Sequence, residues 1–169
     1  MCAFRPPVYA IAAIAQNKVI GKDGRLPWSI EADWQRFLKL TEGGSLLMGR
    51  KSFEDMQREP KWRDDGRRYA VVSRDNALAE PGLVEVFPTA ERALEESCRW
   101  GQTVWVCGGS GIYSALLPAC DQLHLTLIER PFEGDTWFPE WRDLFPRRTA
   151  SEALEENGLS FAFTVWERE

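Results

Sequence analysis

The chain has 169 residues, 44% of them hydrophobic and 28% charged, and a formal net charge of −5. This length suits one domain with a sizeable core, and the composition excludes a disordered chain. The cations are dispersed among acids with no basic run, which argues against a duplex-binding surface and leaves room for a local patch that takes a small anion.

At the N-terminus, residues 1–7 carry Pro6-Pro7 where a signal peptide needs a long apolar core. They read as a short extension, and no secretion signal is expected. Val8 to Ala15 is almost wholly apolar and predicts a strand buried on both faces. Gln16 to Trp28 reads as a loop, broken by Gly21, Asp23-Gly24 and Pro27. Ser29 is the expected N-cap of a helix reaching about Thr41, with Glu31 and Asp33 in its first turns.

Ser45 to Met48 predicts a second apolar strand, and Gly49-Arg50-Lys51-Ser52 turns it into a helix reaching about Met56. After the polar stretch Gln57–Gly66 come a strand at Arg68–Ser73 and a weak one at Val84–Phe87. Thr89 to Trp100 is an amphipathic helix, and Thr103 to Cys107 is another buried strand. Gly108-Gly109-Ser110-Gly111 opens a helix ending near Pro118. Leu123 to Ile128 is a strand, and two late strands are expected at about Phe145–Ser151 and Ser160–Trp166. The alternation of strand and helix predicts an α/β sheet with parallel crossovers.

No apolar run approaches the roughly 18 residues of a membrane span. Cys2, Cys98, Cys107 and Cys120 stand apart and His124 is the one histidine, so neither a metal site nor a histidine-dependent nucleophile is expected. Thiols of this kind fit a reducing, cytoplasmic compartment. The eight tryptophans suggest a well-filled core or an aromatic-lined pocket.

Three features could carry chemistry. Asp33 lies on the apolar stripe of its helix, at i+3 from Ile30 and i−4 from Phe37. It is either a helix-start acid tilted to solvent or an acid in a dry pocket with a raised pKa. The Arg50-Lys51-Ser52 turn is either solvated or an anion site at a helix start. The glycines at 108, 109 and 111 form either a tight turn or a cradle that lets a phosphate approach the backbone. Glu54 and Asp55 read as a solvated helix face, and His124 as structural.

Taken together, the motifs resemble dihydrofolate reductase of the bacterial chromosomal or plasmid-borne type. The resemblance runs through Ile11-Ala12-Ala13, Val19-Ile20-Gly21, Leu26-Pro27-Trp28-Ser29, Asp33, Phe37 and Met48-Gly49-Arg50-Lys51-Ser52-Phe53-Glu54. It continues through Gly108-Gly109, Tyr113, Thr126 and Glu133-Gly134-Asp135-Thr136-x-Phe138-Pro139, covering residues 8–167. It implies a single-domain, mostly parallel sheet of about eight strands with an antiparallel C-terminal strand, flanked by four helices.

The resemblance also implies reduction of 7,8-dihydrofolate by NADPH, with hydride to C6 and a proton to N5. It makes Asp33 the active-site acid, with Thr126 supporting its grip on the pterin and Trp28 beside it. Ala13, Phe37, Met56, Cys107 and Tyr113 would surround the substrate, and Arg67 would hold the α-carboxylate of its tail. Strand alternation puts Arg67 and Arg68 on opposite faces, so only one of them can serve. Ala13, Ile20, Arg50, Lys51, Ser52, Ser73, Arg74, Gly108, Gly109, Ser110, Gly111 and Ile112 would hold NADPH. Arg50 and Arg74 are the candidates for its 2′-phosphate. Gln16–Trp28 would be a loop that closes over the site, with Gly134-Asp135 on its partner loop. The resemblance further implies a small-molecule substrate and a monomer that binds neither nucleic acid nor membrane.

The sequence departs from the family pattern at Gln57–Arg67, longer and more charged than usual, where only Gly66-Arg67 aligns clearly, at Ser110, where the family often has a third glycine, and at His124, a position commonly aromatic. Two other readings compete. One is a reductase of another pterin or of a riboflavin-pathway pyrimidine; the other is a non-catalytic nucleotide-binding module, in which an acid on the apolar stripe would have no reason to persist.

Overall fold

The computed structural model describes residues 5–169. Residues 1–4, which carry Cys2 and the first part of the expected extension, lie outside the described residues. In chain order the elements are β1 (Val8–Ala15), β2 (Val19–Gly21), α1 (Glu31–Thr41), β3 (Ser45–Gly49), α2 (Arg50–Met56), β4 (Arg68–Val72) and β5 (Val84–Phe87). There follow α3 (Ala90–Cys98), β6 (Val104–Val106), α4 (Ser110–Leu116), β7 (Gln122–Ile128), β8 (Thr136–Trp137), β9 (Arg147–Glu156) and β10 (Leu159–Glu167).

Eight strands form one sheet in the order β5-β4-β3-β6-β1-β7-β10-β9. All neighbours from β5 to β7 are parallel, and β10 runs antiparallel to both β7 and β9. The apolar runs predicted as strands occupy the middle of this sheet because both faces are covered. Leu47, Val106 and Leu125 pack beneath α3 and α4 with Ala93 and Leu116. Leu46, Met48 and Trp105 face the other way, toward α1 and α2, with Phe53, Met56 and Phe37. That alternation carries Ile11 and Thr126 to the α1 side.

The sequence expectations fail where local pattern is weak. Residues 16–28 are not all loop: β2 pairs with β8 through Val19↔Trp137 and Gly21↔Thr136. A three-residue strand has too little alternation to declare itself. The first late strand starts later and runs further than expected, because β9 is an exposed edge strand whose charged side chains carry no apolar period. Its turn into β10 is Asn157-Gly158, with φ of 52° and 79°, the left-handed pair that a tight hairpin requires.

Ser29 does not cap α1. Ile30 holds the cap position in extended backbone with no side-chain cap bond. The free amides of Glu31 and Ala32 instead donate to the two carboxylate oxygens of Glu156, at 2.6 and 3.0 Å. A carboxylate from the hairpin thus does the capping, with the charge the helix start favours.

Several tryptophans take one or the other of the two expected roles, whereas Trp137 is exposed. Trp62, Trp105 and Trp141 are buried in the core, whereas Trp34 lines a cavity. His124 packs between the rings of Tyr9 and Trp105, 5.2 and 5.1 Å away. Burial pushes its pKa down to about 4, so it is neutral at physiological pH and structural.

Candidate active site

Two adjoining cavities of about 560 and 190 Å³ open at the C-terminal ends of β1, β3 and β6, where ligands of open α/β sheets commonly sit. They share a wall that includes Ala13, Ser52, Asp55, Cys107 and Tyr113.

Asp33 lines the smaller cavity with Phe37, Met56 and Trp34. Of its two sequence readings, the pocket one is correct. Its helix is amphipathic, and Asp33 lies on the buried stripe beside the sheet. Thr126 on β7 donates its hydroxyl proton to Asp33 Oδ1 at 2.5 Å. Burial raises the carboxyl's pKa above its ordinary value; the Thr126 bond and the nearby Arg36 charge oppose that rise, and Glu156 adds to it. The result is an acid held near a dry surface with one oxygen engaged and a cation in reach. Such a group can accept from a donor edge and keep a proton available.

The rest of the lining is largely apolar and aromatic. Trp34 and Phe37 stack with ring centres 5.2 Å apart. Tyr113 is buried and donates its hydroxyl proton to the Ile11 carbonyl at 2.6 Å, which fixes the ring between the cavities. Cys107 donates to the Trp105 carbonyl at 3.3 Å, and burial pushes its thiol well above the usual range. It therefore offers a surface and not a nucleophile. Trp28 is buried edge-on to Phe132, and its indole nitrogen has no hydrogen-bond partner among the described residues.

The larger cavity is lined by Ile20, Lys51, Ser52, Gly108 and Gly109. Its two glycine turns stand side by side: the Gly49 amide donates to the Gly108 carbonyl at 2.8 Å. A Cβ on Gly108 would lie 2.9 Å from the Tyr113 ring, whereas one on Gly109 would meet nothing. The backbone there is open to a ligand on one side and closed by Tyr113 on the other. Ser110, Gly111 and Ile112 continue this turn into α4 without lining the cavity.

Arg50 is exposed and bonded to Glu54 at 2.9 Å. Arg74 is exposed, and Ser73 accepts from the Asp75 amide at 3.1 Å. These three residues stand outside both cavities, as do Trp28 and Thr126.

Arg67 also stands outside them. Its side chain is 1% exposed and turns beneath the C-terminal half of α1, where it bonds Thr41, Asp65 and the Leu38 carbonyl. Arg68 points to the opposite face, bonded to Glu85 at 2.8 Å and stacked 4.0 Å over Trp100. The face assignment from alternation therefore holds.

The loop 16–28 is clasped by residues 132–137. The Asp135 amide donates to the Gly21 carbonyl at 3.0 Å, and the Asp23 amide donates to the Asp135 carboxylate at 3.0 Å. Asn17 and Phe132 exchange two further bonds. Sequence reasoning missed Arg36 and Trp34, and it read Asp55 as purely solvated although it lines both cavities. Arg36 carried one available signal: it follows Asp33 by three residues, on the same helix face.

The Dihydrofolate reductase family profile matches residues 7–168. Dihydrofolate reductase type 3 of Salmonella typhimurium is 36% identical over 166 residues, covering 94% of this chain and 96% of its own. The Bacillus subtilis dihydrofolate reductase is 32% identical, with 94% and 92% covered. Among solved structures, dihydrofolate reductase from Enterococcus faecalis complexed with NADP(H) and RAB-propyl superposes with a TM-score of 0.82 at 30% identity, covering 98% of both chains.

Proposed function

The chain belongs to the dihydrofolate reductase family and reduces dihydrofolate with NADPH, and from that premise we propose which of its residues do the work. The observation that carries the assignment is the Asp33–Thr126 pair, 2.5 Å apart at the smaller cavity. Asp33 grips the 2-amino and ring N–H edge of the pterin, with Thr126 orienting it. Burial keeps its pKa raised, which favours delivery of a proton toward N5. Ala13, Phe37, Met56, Cys107 and Tyr113 enclose the substrate, with Trp28 at the back of the site.

The larger cavity suits NADPH. The open backbone at Gly109 accepts close approach, Lys51 supplies charge and Ser52 a hydroxyl. NADPH, when bound, supplies the hydride that C6 receives. Ala13 and Tyr113, common to both cavities, keep the two ligands adjacent. Ile20, Ser73, Gly108, Ser110, Gly111 and Ile112 complete the cofactor site, and Arg50 and Arg74 face the 2′-phosphate. The clasped loops 16–28 and 132–137 exclude water from the reacting atoms.

The substrate is a small molecule, and its product supports one-carbon transfer. We read residues 1–169 as one domain with a short extension, acting as a cytoplasmic monomer without nucleic acid. The dispersed ion pairs and the few exposed large apolar side chains, Leu26 and Trp137, support that reading. No helix among the described residues is long and apolar enough to cross a membrane.

The test is loss of NADPH absorbance on addition of 7,8-dihydrofolate. The unmodified protein turns over and Asp33→Asn loses most of that turnover. Turnover by the variant at the unmodified rate would remove Asp33 from the role.

A further inference from the structure

The segment 57–66, where the sequence departs from its family, folds back against the substrate end of the molecule. Trp62 is buried edge-on to Phe53, at 5.5 Å, and its carbonyl accepts the Tyr69 hydroxyl at 2.7 Å. Glu59 accepts from the Trp34 indole at 3.1 Å, tying the segment to a cavity wall on α1. The chain then passes Gly43, whose amide donates to the Asp65 carbonyl at 3.0 Å. It turns at Gly66 with φ of 73°, a conformation that glycine adopts without steric cost.

This path delivers the Asp65 carboxylate onto Arg67, with Oδ2 at 2.7 Å from Nη1. The Leu38 carbonyl accepts from Nη2 at 2.6 Å and Thr41 Oγ1 accepts from Nε at 3.1 Å. Each guanidinium nitrogen already has a partner, and a carboxylate of this chain already balances the charge. Asp65 is a quarter exposed, whereas the Arg67 side chain is almost wholly buried. An anion arriving from solvent therefore meets Asp65 as well as Arg67.

We propose that Asp65 is a specificity-determining residue: it occupies Arg67 as an internal carboxylate and competes with the carboxylate of the substrate's glutamate tail. The pterin is gripped in full while the tail adds little. This rests on dihydrofolate reduction as the reaction and on Arg67 as the tail's partner. A second anion beside Asp65 is repelled at close range, and displacing Asp65 breaks a charge-assisted bond.

The experiment compares kcat/KM for 7,8-dihydrofolate and for tailless 6-methyl-7,8-dihydropterin in the unmodified enzyme, Asp65→Asn and Asp65→Ala. Both variants are expected to gain about tenfold on dihydrofolate, mainly through KM, the worth of one charge-assisted bond at the low end. Turnover of the tailless substrate stays unchanged and reports that the fold is intact. A second arm uses the unmodified enzyme alone. 4-Aminobenzoyl-glutamate and its diamide should inhibit within about threefold of each other, since the free carboxylates find Arg67 taken. Unchanged or weaker use of dihydrofolate by the variants, an equal gain on the tailless substrate, or an acid far tighter than its diamide overturns the proposal. Failure of the unmodified protein to oxidise NADPH with either substrate overturns the functional reading itself.

Discussion

Thr126 on β7 and Asp33 on α1 lie 93 positions apart in sequence and 2.5 Å apart in space. The hydroxyl donates to the ionised carboxylate and so favours it. Thr126→Val removes that bond and leaves the shape. A hydrogen bond to a charged group contributes about 1.5–3 kcal/mol, so kcat/KM should fall roughly 10- to 100-fold. Thr126→Ser should recover most of it. Steady-state kinetics on the three proteins checks this.

Asp33→Asn should lose about 10²–10⁴ in turnover at neutral pH and yet be more stable there. A carboxyl whose folded pKa is raised binds its proton more tightly in the folded than in the unfolded state. Stability therefore falls as pH rises from the ordinary carboxylate value of about 4 through the folded pKa, and the cost is complete above it. The asparagine lacks that cost. Thermal unfolding should show the two proteins close together near about pH 4 and the variant ahead at neutral pH.

Arg36, one turn along α1 from Asp33 and lining the same cavity, opposes the rise in Asp33's pKa. Its guanidinium is half-buried, 4.5 Å over the Phe163 ring, and Glu152 also faces it. Around Asp33 the other influences are the Thr126 hydroxyl and Glu156. Arg36→Met removes the one cation among them, so the Asp33 pKa should move further up. Arg36→Lys should hold it. A carbon-13 NMR titration of the Asp33 carboxyl reads the shift directly, and a downward move in Arg36→Met refutes the assignment.

Arg67→Leu should unfold far more easily than Arg68→Leu. The first leaves Asp65, Thr41 and the Leu38 carbonyl without their partner at a buried position. Breaking a buried pair in this way costs about 3–5 kcal/mol. The second loses a partly exposed ion pair and a cation–π contact, about 1 kcal/mol together. Urea midpoints separate them.

Gly134→Ala should part the two loops that cover the larger cavity. An added Cβ would sit 2.3 Å from Val19 Cγ1 and 2.6 Å from the Gly21 carbonyl oxygen. Overpacking of this kind costs about 1–3 kcal/mol. Because the loops bear on the site and not on the core, the expected readout is faster proteolysis within 16–28 and a lower kcat, with a small change in Tm.

Local pattern in the sequence determined the layered α/β sheet, the buried strands, both glycine turns and Asp33 on an apolar stripe. It also separated the faces of Arg67 and Arg68. These depend on spacings of two to four residues, which backbone geometry alone converts into faces. The resemblance added Thr126 and the loop partnership. Tertiary structure alone decided which groups meet. Glu156 caps α1 in place of Ser29, from 125 residues away. Thr126 reaches Asp33 from β7, and Asp65 closes on Arg67. Polar side chains take whichever complementary group the packed elements bring within about 3 Å, and that choice is set by the sheet order and the turn at Gly66.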